Sequence, residues 1–80
     1  MNFNAGDEVI EPRGMTIKTG RTAKVIGYTR SNIRVLLDVD PDSIWPDPEE
    51  EFSFHRDYGM VLSMKPDRLA LARDKRLDLI

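Results

Sequence analysis

Residues 22–39 read TAKVIGYT, then RSN, then IRVLLDV: two apolar runs separated by three polar residues. In the second run Ile33, Val35, Leu37 and Val39 alternate with Arg34, Leu36 and Asp38. A two-residue period sustained over that length marks a strand with one buried face. The stretch therefore predicts strands over 22–29 and 33–39, joined by a tight turn at Ser31-Asn32, where Asn32 tolerates a left-handed backbone. Gly27, inside the first of these strands, predicts a bulge that helps the sheet curl. Upstream, residues 7–11 (DEVIE) read as another strand, ended by Pro12, which cannot donate to a ladder. Residues 13–21 (RGMTIKTGR) form a loop with glycines toward both ends and with Met15 and Ile17 inside. The class these elements fix is mainly β, a small antiparallel sheet.

Downstream, residues 40–50 (DPDSIWPDPEE) hold three prolines and five acids, the composition of a loop. Alternation resumes at 51–56 (EFSFHR), with Phe52 and Phe54 on one face, and a turn follows at 57–59. Residues 60–64 (MVLSM) give a fifth strand with Met60, Leu62 and Met64 on one face. Residues 65–69 read as a single helical turn with Pro66 near its start. In the tail, 70–80 (ALARDKRLDLI), Leu69, Ala72, Arg76 and Leu79 share an imperfect stripe. A short helix over part of it is expected, a last strand being the alternative.

The chain has 80 residues and no cysteine, so one domain with one small core is expected over 1–80, held by no disulfide or thiolate metal site. Its net charge of −2 does not favour nucleic acid as a partner of the whole surface. The charge is uneven: residues 1–37 hold six basic and three acidic side chains, residues 38–51 seven acidic and no basic ones, and residues 52–80 six basic and four acidic ones. No apolar run approaches the ~20 residues that span a bilayer, and the first residues lack the pattern of a secretory leader. A cytoplasmic protein with no membrane contact is expected.

The motif Gly6-Asp7-x-Val9, with Gly14, Lys18-x-Gly20, Ala23-x-Val25 and Gly27, resembles the KOW-type pattern of SH3-like barrels. In that pattern a strand opens on Gly-Asp, a glycine-bearing loop follows, and the next strand carries Ala or Gly two places before Val. Val61 with Leu69-x-Leu71 is similar to the closing strand and helical turn of the same superfamily. The resemblance covers residues 6–39 well and 51–71 loosely. It implies a five-stranded SH3-like barrel with a short C-terminal helix, and a binding role on RNA, DNA, peptides, or ribosomal or polymerase surfaces. One fold hosts many functions, so the site has to be argued separately.

Five constellations carry candidate chemistry. Asp38, Asp40, Asp42 and Glu49 occupy positions 1, 3, 5 and 12 of a calcium loop, but Ser43 replaces the turn glycine and the prolines stiffen the segment, so a solvated acidic loop is expected and no metal or other cofactor. Ser53, His55 and Asp57 line one side of a strand. That line lacks triad geometry, so no catalytic residue is assigned and the chain is read as no enzyme. His55 is the only histidine. Arg13, Lys18, Arg21, Lys24 and Arg34 could contact phosphates, with Tyr28 and Tyr58 as the exposed stacking residues. Trp45 among Asp42, Asp47, Glu49 and Glu50 suits a basic groove on a protein partner, with Met15 and Ile17 filling a groove of it. Leu77, Leu79 and Ile80 would pack under the sheet or give a weak homodimer in place of a monomer.

The leading expectation is a non-enzymatic protein-binding module acting on a component of transcription or translation machinery, in the manner of a phage or plasmid accessory protein. The alternative is direct RNA or DNA binding through the basic loop.

Overall fold

A computed structural model describes residues 3–45 and 51–74 of the chain. It is built around the hairpin of β2 (Ala23–Tyr28) and β3 (Val35–Asp38). Val35 and Leu37 are fully buried, and Val25 opposite Leu37 is nearly so, as the alternation of the sequence requires. The register slips between Val25 and Gly27, so the predicted bulge is present at Gly27.

The connection is longer than the sequence suggests. Tyr28 pairs with Val35, which leaves residues 29–34 as the loop. Thr29 N–H donates to Arg34 O at 2.9 Å and Asn32 N–H to Thr29 O at 2.8 Å, closing that loop on itself. Asn32 takes the left-handed backbone expected of it, with φ 59°. Ile33 is then carried into the loop, 63% exposed, and does not share the buried face of Val35, Leu37 and Val39. Periodicity places a residue on a face only while the chain remains extended.

The remaining strands are β1 (Glu8–Ile10), β4 (Glu51–His55), β5 (Gly59–Met64) and β6 (Ala70–Leu71). All pair antiparallel in the order β4-β5-β3-β2-β1-β6. The five-stranded closed barrel expected from the sequence is thus corrected to an open, six-stranded sheet with β4 and β6 at its edges. The sixth strand comes from the start of the tail. Ala70 and Leu71 pair with Ile10 and Val9 before the chain turns helical at residues 72–74. Both readings of the tail hold, each for part of it; residues 75–80, with Leu77, Leu79 and Ile80, lie outside the described residues.

The core joins Val9, Ile17, Val25, Val35, Leu37, Leu62 and Met64, with Phe3, Tyr28, Ile44, Phe52, Met60 and Leu71 packed around it. Ile17 is the loop's contribution: although outside any strand, it is fully buried and bridges Ile44. One-turn 3-10 helices cover Pro41–Ser43 and Pro66–Arg68. Each starts on proline, whose fixed φ and missing donor suit the first turn of a helix. Among the described residues no helix is long and apolar enough to cross a membrane.

Candidate protein-binding site

The loop after β1 is shaped by one buried carboxylate. Gly14 N–H donates to Glu11 O at 2.9 Å, closing a turn through Pro12 and Arg13. The Glu11 side chain folds in under that turn and is 1% exposed. Its Oε1 accepts from the backbone N–H of Thr16 (2.5 Å) and of Ile17 (2.9 Å). Its Oε2 faces Arg68 Nη2 at 2.6 Å. That contact is short enough for an ion pair but does not meet hydrogen-bond geometry. Arg68 Nη2 also donates to Thr16 Oγ1 at 3.1 Å. The 3-10 helix at Pro66–Arg68 is thereby tied to the loop. A carboxylate buried this deeply is tolerable only because two amides and a guanidinium replace its water.

With Thr16 and Ile17 fixed, the loop pairs with the segment that follows β3. Trp45 N–H donates to Thr16 O at 2.7 Å and Lys18 N–H to Ser43 O at 2.8 Å. The Asp40 side chain caps the intervening 3-10 helix by accepting from Asp42 N–H at 3.0 Å. Trp45 emerges beside the loop, 52% exposed, with Lys18 Nζ 4.4 Å from the centre of its ring. A cation over an indole face contributes about 0.5–1 kcal/mol at an exposed site. It also limits the rotamers open to both side chains. Next along the loop, Met15 is 57% exposed. A cleft of about 400 Å³ runs beside it, lined by Glu11, Pro12, Arg13, Met15, Asp67 and Arg68.

The structure bonds the loop to the Trp45 segment, two parts that the sequence analysis assigned to one partner contact. Trp45 and Lys18 meet ring to cation, and Arg13 and Met15 of the same loop line the cleft. Ile17 is behind them, in the core, and acts by holding the loop in place. Asp42 is exposed on the capped 3-10 helix. Asp47, Glu49 and Glu50 lie outside the described residues.

The other basic residues are dispersed. Lys24 sits on β2 with Glu8 opposite it on one side and Asp38 on the other. Arg34 donates from Nε to Ser63 Oγ and from Nη2 to Ser63 O, both at 2.7 Å, and so clamps the end of β3 to β5. Arg21 is exposed. Tyr28, expected on the surface, is half-buried against the core, and its hydroxyl accepts from Phe3 N–H at 3.2 Å. Tyr58 remains 48% exposed.

The Ser53, His55 and Asp57 line resolves into a hairpin turn. His55 Nδ1 accepts from Asp57 backbone N–H at 3.1 Å, and its ring tilts against Tyr58 at 5.3 Å. All three side chains face solvent. Among the described residues no group of three or more His, Asp or Glu side chains is placed to hold a metal ion. Asp40 is occupied as a helix cap, and Glu49 of the calcium-loop pattern lies outside the described residues. Sequence reasoning missed Glu11 and Arg68. An acid next to Pro12 at the end of an apolar strand hints at a turn, but nothing local points to an arginine far along the chain. The chain matches no protein-family model, no curated protein and no solved structure.

Proposed function

We propose that the chain is a non-enzymatic protein-binding module. Its contact surface centres on Trp45, Lys18, Met15 and Arg13, with Asp42 at the rim. The observation that carries this reading is the state of Trp45. It is a large aromatic side chain left half in solvent, while its backbone is bonded to the loop and its ring lies under a lysine. An exposed aromatic already held in place gives up little entropy on binding, and tryptophan is enriched among the residues that dominate interface energies. The cleft beside Met15 offers a partner side chain an apolar wall with arginines at its margin.

The resemblance to SH3-like barrels of the KOW type extends the reading to a partner in transcription or translation machinery. The one-turn helix before the last strand supports it. Two features weigh against RNA or DNA as the direct ligand. Arg34 is engaged by Ser63 and Lys24 is flanked by acids, so among the described residues these two are not free to extend the basic loop; Tyr28 is withdrawn from stacking.

The test pairs two experiments. Amide spectra of the labelled protein are titrated with single-stranded RNA and with duplex DNA at low and moderate salt. In parallel, a photo-crosslinker at position 15 is activated in extract of the source cell, in the natural sequence and with Trp45→Ala. No shifts with nucleic acid, and a cross-linked protein that disappears with Trp45→Ala, are expected. Shifts clustering on residues 13–34 and fading with salt would overturn the reading in favour of nucleic acid.

A further inference from the structure

β4 is an edge strand of the sheet. β4 (Glu51–His55) pairs with β5 through five consecutive residues without a bulge, and among the described residues nothing pairs with its other side. Natural edge strands are guarded by lysine, proline, bulges or brevity. The opposite edge, β6, has brevity, being two residues long before the chain turns helical. β4 reads Glu-Phe-Ser-Phe-His, with no lysine, proline or bulge; its one residue of ordinary negative charge, Glu51, stands at its start. It also carries Phe54, which at 81% is the most exposed large apolar side chain described.

The sequence of β4 is complementary to its own reverse. In an antiparallel pair of two β4 strands with the two-fold axis at Ser53, Phe52 of each copy faces Phe54 of the other. Glu51 of each faces His55 of the other. The aromatic residues fall on one face of the joined sheet and the Glu51–His55 pair on the opposite face, because residues directly across a ladder point the same way. Phe52 lines an apolar groove of about 380 Å³ with Pro41, Ile44 and Met60. The Phe54 side chain of a second copy would come beside Phe52 and cover that groove, twice in the symmetric pair. Moving the register by one residue in either direction loses both the Phe–Phe and the Glu–His matches.

We infer that β4 is a homodimer interface, joining two copies edge to edge about Ser53 into one continuous twelve-stranded sheet (six strands from each copy). Its self-complementary order is what a two-fold contact requires, since the same patch serves both partners. The inference does not depend on the function assigned to the Trp45 surface, although the groove it covers is lined by Pro41 and Ile44, neighbours of Asp42 and Trp45.

Sedimentation velocity on the full chain across a dilution series tests this, with Ser53→Lys, Ser53→Glu and an equimolar mixture of the two. Ser53 is exposed on β4, so both variants should keep the native amide spectrum. The natural sequence is expected to dimerise as concentration rises. Each variant alone should lose the dimer, because like charges meet at the axis, and the mixture should regain it. Phe54→Ser should also lose the dimer while keeping the unfolding midpoint that the natural sequence shows at dilutions where it is monomeric. A natural sequence that remains monomeric up to about 1 mM, a weak-affinity limit worth roughly 4 kcal/mol, overturns the inference. So does a dimer indifferent to the Ser53 charges, and so does a mixture of the variants that fails to reassemble.

Discussion

Two connections of this small sheet are held by opposite means. The loop between β1 and β2 has little regular pairing of its own, yet it buries Thr16 and Ile17 completely and is tied inward by Glu11 and Arg68. The β4–β5 hairpin has continuous strand pairing, yet β4 buries only part of Phe52 and leaves its other side chains in solvent. The first connection is irregular and anchored; the second is regular and open. Regularity of backbone is therefore no guide to rigidity here. What decides it is whether a segment places side chains into the core and replaces the water it removes from its polar groups.

The comparison breaks most sharply at Glu11. Glu11→Ala leaves Arg68 without its buried partner and strips two amides of their acceptor. It should cost about 3–5 kcal/mol of unfolding free energy, the range for removing one member of a buried pair, read from urea denaturation. Glu11→Gln keeps an acceptor for Thr16 and Ile17 and should lose less. If the alanine variant unfolds at the same midpoint as the natural sequence, the anchoring role is wrong.

Next in size is Gly14. Its φ is 64°, and an added Cβ would stand 2.3 Å from Thr19 Oγ1. Gly14→Ala should destabilise by about 1–2 kcal/mol, as strained left-handed positions do. Gly59 has φ 77° but open space around it, so Gly59→Ala should carry only the conformational cost, and the smaller loss of the two. Thermal midpoints of the pair would show whether the anchored loop is the tighter packed.

Smaller still is Lys18→Met, which removes the cation over Trp45. A change of about 0.5–1 kcal/mol or less is expected, with a shift in tryptophan emission as the ring gains freedom. On the open side, Phe54→Ser should alter the stability of the monomer by no more than about 0.5 kcal/mol, because the side chain is already in water. A loss matching that of Glu11→Ala would mean that β4 contributes to the core after all.

These differences mirror what could be read from the chain alone. The β2–β3 hairpin was legible because burial of one face imposes a period of two on Val35, Leu37 and Val39, and because Gly27 and Asn32 mark the positions where the backbone departs from it. Ile33 was misplaced since the same period continues into a loop that is no longer extended. The sixth strand was legible only as an alternative to a helix, because two residues, Ala70 and Leu71, carry no period; their pairing with β1 makes them a strand. The proposed contact surface was half legible. Exposed Trp45 and Met15 stand out by residue type, but what positions them is a contact between Thr16 and Arg68, 52 residues apart, which local pattern cannot encode.

The measurement closest to the centre of this account is native-state amide hydrogen exchange. It compares Thr16, Ile17, Lys18 and Trp45 with Ser53 and His55 of β4, in the natural sequence and in Glu11→Gln. Slow exchange at the first four positions, selectively accelerated by Glu11→Gln while β4 is unchanged, is the predicted result. Exchange at Thr16 and Ile17 as fast as at exposed Arg30 and Ile33 would contradict it, since the Trp45 surface would then not be prebuilt.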